Sequence, residues 1–589
     1  MNPRLCLLAL AISGCCYTFA KAESPSAADW LPATTAVYIE AAPAQSFTDL
    51  PLVSQLMSNE LVQQIWRSPP VMKFRGGMTM VELSLGEKVP VVVSRLGARG
   101  TIVAMDAKSQ GIALLAHAQD SETCREFFKK ALTAAQGMTK RNGGKGIEST
   151  SYSGLDAYKI DKAVVVAIDD WLLVSNNGEL TKQIVDNYRR PTAQGLTSVV
   201  SFADARKNSL SQKSPQQLLW GWTDVAMLRE AGAKKHFQRP EDNFVAELLI
   251  GGLLATVRDA STATVSLACH SNELELQFAT PQSTVAKKPE YEFFFGPDGQ
   301  GHAPPLISTG RNIAALSAHR DVAELWRRAG DMFGERLNDQ LAQADATLTT
   351  LFSGRDFGED ILGAIEPGVQ VILTAQEFDS AKAPVPQIKL PAFALVSTLR
   401  KPDEMMTQLK RIFTSLVGFL NITGAMNQQP QLDIESMKED GATYVFATYA
   451  LDVDRPKEWK VPIQFNFSPT LAMFGDQAVL ASTGQIARDI VAQLRDAEKP
   501  QTRTSGQAKD AAGAPNTLLL IDAAAAASAL AINRDQLVSQ NMIEKGHTQE
   551  EAQQEIDTLL SLLGLVESLE IRFEVGDQTA LTSVLRLKP

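Results

Sequence analysis

The sequence predicts an α+β protein built from two tandem repeats, each a mostly antiparallel sheet backed by helices. Three observations predict it. Short β-branched or aliphatic runs alternate with amphipathic helical stretches along all 589 residues. Several of those runs are joined by two-residue acidic or Gly-containing turns, which connect antiparallel neighbours rather than parallel ones. The order of elements met at Asp156–Tyr188 also returns at Ala442–Leu494.

Asp156–Tyr188 shows the plan most clearly. Ala163–Ile168 is short and β-branched, as suits a strand. Asp169 and Asp170 supply a turn, and Trp171–Val174 returns antiparallel. Asn176, Asn177 and Gly178 stop the sheet, and Leu180, Ile184, Val185 and Tyr188 then recur at helical spacing. The second copy runs Leu471–Phe474, Gly475–Asp476, Ala478–Ala481, Ser482–Gly484 and a helix over Gln485–Leu494. Gly178 precedes Ile184–Val185 by the same step that separates Gly484 from Ile490–Val491.

The first repeat is set at residues 31–280. It opens with a strand at Ala36–Ala41 and a helix over Leu50–Arg67, closed by Pro69 and Pro70. Pro90 and Gly86 break any single helix in 78–96. Thr101–Met105 and Gly111–Ala116 form a hairpin. A helix from Ser121 carries Phe127, Phe128, Ala131 and Leu132 inward. After the loop Lys140–Gly146 and the segment just described come a helix near 198–208, a strand at Leu218–Trp222 and a helix from Asp224. A second helix follows at about 243–257, then strands Thr262–Leu267 and Glu273–Phe278.

Residues 281–305 form a Pro/Gly-rich linker, whose aromatic run Tyr291–Phe295 is expected to dock on a domain. The second repeat, 306–589, restarts at Asn312–Ser317, with a helix carrying Val322, Leu325 and Trp326. Gly368–Thr374 and Ala392–Ser397 match the first hairpin, and Pro402–Phe413 matches the helix from Ser121. Thr443–Leu451 and Ile463–Phe467 are expected as strands. Lys499–Ala514 is polar and small, a composition of disordered segments. Strand Thr517–Ile521, helices near 523–531, 534–545 and 549–563, and the hairpin Val566–Val575 with Thr579–Leu587 close the chain.

Residues 1–22 read as a signal peptide: a short positive start with Arg4, an apolar run from Leu5 to Ala20, and the small-x-small site Ala20-Lys21-Ala22. Ile12–Cys15 is the alternative, a lipoprotein-type site that would anchor the chain at Cys15. The protein is therefore expected outside the cytoplasm, periplasmic or extracellular. A net charge of −11 argues against nucleic acid and against a polybasic membrane-surface role. No later stretch is long and apolar enough to span a membrane.

The sequence presents no catalytic, cofactor-binding or metal residues. His117, His236, His270, His302, His319 and His547 are scattered without metal-ligand spacing, and each reads as a loop or surface residue. Cys124 and Cys269 are too far apart in sequence for a metal motif and read as buried thiols or one long-range bridge. His319–Asp321 spells a kinase triplet without the rest of that machinery and reads as a helix start. Gly143–Gly146 lacks the phosphate-loop pattern. Asp169–Asp170 and Glu241–Asp242 are paired only by proximity, and Asn421 and Asn466 sit in glycosylation triplets. Trp220 and Trp222 share one strand face, where core filling or ligand stacking is open to them.

Leu31-Pro-Ala-Thr-Thr-Ala-Val-Tyr-Ile-Glu, Tyr152-Ser-Gly-Leu-Asp-Ala-Tyr-Lys and the run Ala163–Ser175 occur in that order. In this the chain resembles a broad group of uncharacterised exported bacterial proteins carrying a domain of unknown function. The resemblance covers most of the first half and implies no activity or site residues. The expected role is non-catalytic binding or scaffolding in the envelope, with an unidentified envelope protein or ligand as partner. The alternatives are an envelope hydrolase with a non-local site and a carrier of an apolar ligand.

Overall fold

The computed structural model describes residues 27–48, 50, 53–54, 58, 79, 82–83, 86–141, 147–160, 163–190, 195–211, 216–232, 243–281, 284–352, 354–379, 384–426, 429–450, 461–498 and 514–588. The signal segment, most of the helix expected over Leu50–Arg67, the loop at 142–146, Glu241–Asp242, His236 and residues 499–513 lie outside them. The fold is α+β and its strand pairings are antiparallel. The chain divides into two compact units, the first taking residues up to 238 and 260–281, the second 239–259 and 282–588.

In the first unit the strands are β1 Thr35–Ala41, β2 Thr101–Asp106, β3 Ile112–His117, β4 Glu148–Tyr152, β5 Leu155–Ile160, β6 Ala163–Ile168, β7 Trp171–Ser175, β8 Gln217–Asp224, β9 Thr262–His270 and β10 Glu273–Pro281. They lie side by side as β10-β9-β8-β1-β2-β3-β7-β6-β5-β4. The helices are α1 Val89–Leu96, α2 Ser121–Arg141, α3 Gly178–Arg189, α4 Val200–Ser211 and α5 Val225–Glu230. Pro90 sits in the first turn of α1, where its missing N–H costs nothing.

Alternation in the strands sends one set of side chains to each face. One face buries Tyr38, Ile102, Leu115, Ile168, Leu173, Trp220 and Trp222 under α3 and α4. Helix α3 starts where the sequence places it: the Asn177 side chain accepts from the Glu179 and Leu180 amides, and Leu180, Ile184 and Val185 are buried. The other face packs Leu172, Val165 and Val174 against Cys124 and Phe128 of α2 and Val92 and Leu96 of α1.

The second unit has strands β11 Asn312–Ala318, β12 Ile365–Thr374, β13 Ala392–Leu399, β14 Leu432–Glu439, β15 Ala442–Tyr449, β16 Thr470–Phe474, β17 Gln477–Ala481, β18 Thr517–Asp522, β19 Val566–Val575 and β20 Gln578–Leu587. Their order is β20-β19-β18-β11-β12-β13-β17-β16-β15-β14. Strand for strand, this is the connectivity of the first unit. The helices are α6 Gly252–Asp259, α7 Val322–Arg327, α8 Glu335–Leu351, α9 Pro402–Met426, α10 Gly484–Glu498, α11 Ala523–Ala531, α12 Arg534–Lys545 and α13 Gln549–Leu565. Helix α10 covers β13, β16 and β17 on the face that buries Ala394, Val396, Tyr444, Ala472 and Val479.

Two expected elements differ. Ile463–Phe467 is not a strand; Ile463–Asn466 is a 3-10 turn. The alternation of Ile463, Phe465 and Phe467 imitates a strand. Pro462 fixes the entry, however, and the Asn466 amide donates back to the Ile463 carbonyl at 2.8 Å, closing the turn. The helix expected at 243–257 is interrupted. Phe244–Ala246 is α-helical, Glu247–Gly251 is a π turn, and α6 follows. Gly252 lets α6 lie directly on the aromatic run, since a Cβ there would fall 2.4 Å from the Phe294 ring.

Tyr291, Phe293, Phe294 and Phe295 are buried within the second unit, among Ala255, Leu325, Met332, Phe333 and Phe573. The aromatic run docks as its composition predicts.

Candidate functional site

The residues singled out in the sequence are mostly structural. Trp220 and Trp222 fill core against Phe202, whose ring lies edge-on to both at 5.8 and 5.4 Å. Cys124 and Cys269 are both free and buried, and burial pushes the Cys124 thiol up to about 11. Asp321 caps α7 by accepting from the Glu324 amide at 2.9 Å, which is the helix start expected of His319–Asp321. Asn466 is 2% exposed, with its side chain committed to main-chain groups. Asn421 is bonded both ways to Leu432. Among the described residues no group of three or more His, Cys, Asp or Glu is placed to hold a metal ion. No helix among them is long and apolar enough to cross a membrane.

Two histidines depart from the surface reading. His117 and His319 are buried. His117 lies at the end of β3, stacked on Trp171 at 4.1 Å, and its Nε2 meets Asp170 at 3.1 Å. Arg99 donates to the same carboxylate oxygen at 2.8 Å. Burial lowers the His117 pKa, and Asp170 opposes that shift. The turn geometry of Asp169, with φ of 50°, returns at Gly475 with 56°. The chemistry does not return, because Thr398 and Gln477 hydrogen-bond to each other beside Asp476. The acid of the cluster is already shared by Arg99 and His117, and the nearby Cys124 is held as the neutral thiol by burial and by the charge of Asp170.

The feature that calls for a partner is a sheet face of the second unit. In register across the strands, Leu519 faces Leu316, Leu316 faces Val371, Val371 faces Leu395, Leu395 faces Leu480, and Leu480 faces Leu471. Residues paired this way project from the same face. Leu471 is 4% exposed, under α9, but Val371, Leu395 and Leu480 are 40%, 40% and 45% exposed. Phe393, two residues along β13, is 49% exposed. In its first half strand β13 buries Ala392, Ala394 and Val396 and exposes Phe393 and Leu395. This inverts the arrangement that the hydrophobic effect favours in a sheet with no partner.

The first unit shows how the face opens. There the matching row, Val103, Leu114, Val174, Val165 and Tyr158, is half-buried throughout. Helix α2 packs on β6 and β7. Its counterpart α9 packs on β14 and β16, farther toward the sheet edge. Asn421 on one flank of α9 is tied to Leu432 of the edge strand β14. Elsewhere on α9, Leu416 and Leu420 are 36% and 42% exposed.

A cleft of about 420 Å³ lies in the same unit, between residues 388–391 and helices α11 and α12. Its lining is mainly apolar, including Ile388, Leu390, Pro391, Leu530, Leu537 and Ile543, with Lys389 and Gln536 among its polar groups. The lead-in 388–390 is held by side chains instead of a neighbouring strand. Asn466 accepts from the Leu390 amide and donates to the Ile388 carbonyl, both at 2.8 Å, and Gln376 donates to the Leu390 carbonyl at 2.8 Å.

Solved structures similar to the chain include three crystal forms of TP0453. Form IV is 13% identical, covering 43% of this chain and 79% of that one, with a TM-score of 0.23. Form I is 13% identical, covering 44% and 80%, at 0.25. Form III is 12% identical, covering 45% and 82%, at 0.25. At these scores the likeness carries no argument. No curated protein matches the chain. Residues 93–362 match the model of a protein family described as of unknown function, DUF3352.

Proposed function

We propose that this chain is an exported, non-catalytic binding protein of the cell envelope that holds a hydrocarbon chain on the open face of its second unit. The observation that carries the reading is the set Val371, Phe393, Leu395 and Leu480, large apolar side chains left 40–49% exposed on adjoining strands. Contiguous exposed apolar surface of this kind marks a binding site. The row offers no hydrogen-bonding side chain. An extended peptide laid on it would bury N–H and C=O groups without partners, at about 1–3 kcal/mol each. A hydrocarbon chain brings no such cost.

Export is supported by the charged start, the apolar run and the Ala20-Lys21-Ala22 site, with a lipid anchor at Cys15 as the alternative. The shared strand order supports descent of 31–280 and 306–589 from one duplicated unit, with 281–305 as the connecting segment. On this reading the first copy keeps its face closed and the second has opened it.

Titration with a fluorescent long-chain fatty probe tests the proposal. Saturable binding is expected, weakened about tenfold or more in Leu395→Ser and Leu480→Ser, and unchanged in Val200→Ser, an exposed position in the first unit. Absence of saturable binding overturns the reading. So does a concentration-dependent dimer abolished by the same two variants, because the face would then belong to a second copy.

A further inference from the structure

We infer that the C-terminal half of α9 docks the second unit on a lipid surface, entering the hydrocarbon end first. This surface is separate from the open row and does not depend on a ligand there. A helix on a sheet normally buries one stripe and shows water the opposite one. The first half of α9 does so: Met405 and Phe413 are buried, and Asp403, Glu404, Lys410 and Arg411 are exposed. From Ile412 to Met426 the helix carries no charge. Its inner stripe continues through Val417 and Gly424, both buried. Its outer stripe becomes apolar: Leu416, Phe419, Ile422 and Met426 recur at helical spacing and are 36%, 55%, 67% and 82% exposed.

This pattern fits hydrocarbon better than a protein partner. Polarity changes along the axis of α9, at Arg411, as it does where a helix passes from water through headgroups into acyl chains. A helix or sheet laid alongside would instead divide polar from apolar residues around the axis. Exposure also rises steadily toward the end of the helix, as on a projecting tip rather than in a groove. The hydroxyls there are spent locally, Thr414 donating to the Lys410 carbonyl at 2.8 Å and Thr423 to the Phe419 carbonyl at 3.0 Å. A protein interface carries hydrogen bonds around its apolar centre, whereas acyl chains neither offer nor need them. Ile434 of β14 shares the face of Leu432, beneath α9, and at 42% exposed it widens the patch. Asp433 and Glu435 alternate to the other face.

The uncharged half of α9 is about 20 Å long by helical rise. It is not a membrane-crossing helix, and it suits an oblique seat about 5–10 Å deep in one leaflet. A chain of net charge −11 gains no attraction to an anionic surface, so the attachment is hydrophobic and insensitive to salt. Leu471, beneath α9, pairs with Leu480, so the open row lies on the same side of the sheet and docking turns it toward the lipid.

Flotation of the full chain with phosphatidylcholine vesicles tests the docking, and hydrogen exchange places it. The chain is expected to float equally at low and high salt. Vesicles should slow exchange over 412–426 and leave 402–409 unchanged, and this reports α9 itself whatever the N-terminal segment does. Phe419→Asp combined with Ile422→Asp should lose the protection, and Phe419→Leu combined with Ile422→Leu should keep it. Both positions are exposed, so unchanged melting of the two double variants shows that the fold is kept. Failure to float, flotation without protection at 412–426, or release by salt overturns the docking. A dimer that protects 412–426 without vesicles, and that the Asp variant abolishes, overturns it too, because the occupant is then a second copy. The Asp variant is expected to keep fatty-probe binding, so the open-row reading stands or falls on its own titration.

Discussion

Asn533 meets Lys389 with both halves of its amide, accepting from the Lys389 N–H at 2.8 Å and donating to the Lys389 C=O at 2.7 Å. That pattern is what a neighbouring strand would supply, delivered by one side chain between helices α11 and α12. Asn533→Ala leaves both main-chain groups without those bonds beside a largely apolar cleft. A loss of about 1–3 kcal/mol in the stability of this strap is expected. Hydrogen exchange at the Lys389 amide should accelerate far more than exchange in β13. Unchanged exchange at Lys389 would remove the clamp from the account.

Acid should destabilise the protein through His117 and His319. Burial lowers both pKa values, that of His319 to about 4 from its ordinary value near 6.5. Its Nε2 is buried without a hydrogen-bond partner, so the charged form has nothing to meet. Below pH 6.5 the unfolded chain takes up the proton and the folded one does not. Stability is therefore full above about 6.5 and falls as the pH drops from there to the folded value. For His319 the loss reaches roughly 3 kcal/mol at most by pH 4. Urea unfolding at pH 7.5 and 5 should show the drop, and His319→Gln and His117→Gln should each flatten it. A pH profile identical in both variants and the parent would refute the assignment.

Strand and helix order was legible because each element carries its own local signal. Ala163–Ile168 is β-branched, Asp169–Asp170 is turn chemistry, and Asn177 caps α3. The open face was not legible. Ala392–Ser397 is apolar at nearly every position, which reads as a strand buried on both faces. Its exposure depends on where α9 settles, and that is set by residues outside β13: Phe413 and Val417 pack on Leu432, Val445 and Leu471, and Asn421 bonds to Leu432. One signal was available: the strict alternation of small and large residues in Ala392, Phe393, Ala394 and Leu395. Length and flanking prolines could not say which set faces the core. His117 was missed for the same reason, since Trp171 and Asp170, which hold it, are far away in sequence.

The two thiols give a plain chemical test. Cys124 and Cys269 are buried and free, and burial raises both pKa values. Thiolate, the reactive form, is therefore scarce at neutral pH, and access is poor as well. Iodoacetamide followed by peptide mass spectrometry should leave both residues unmodified in the folded protein and label both in urea without reductant. A disulfide-linked peptide containing the two, or fast labelling of the folded chain, would contradict the structure.

Arg320 helps to hold the segment from Asn243 to Asp259 in the second unit, beside the packing of Phe244, Leu248 and Ala255 on its aromatic core. It is 4% exposed, and burial brings its pKa down to about 9. Its guanidinium donates to the main-chain oxygens of Leu248 at 2.6 Å and Leu249 at 3.0 Å, inside the π turn. It also donates to Asn516 Oδ1 at 3.0 Å and Thr517 Oγ1 at 2.9 Å, and stands 3.6 Å above the Phe294 ring. A π turn displaces main-chain carbonyls from the regular helical ladder, and here Arg320 binds two of them. Arg320→Ala would strand those acceptors and empty the space over Phe294, at about 3–5 kcal/mol. Arg320→Lys should recover little, because a single ammonium cannot reach acceptors spread around a planar fork. Hydrogen exchange should then speed up at Gly251 and Gly252 and spare the strands of the first unit. Normal exchange at Gly251 in Arg320→Ala would mean the helix docks without the arginine.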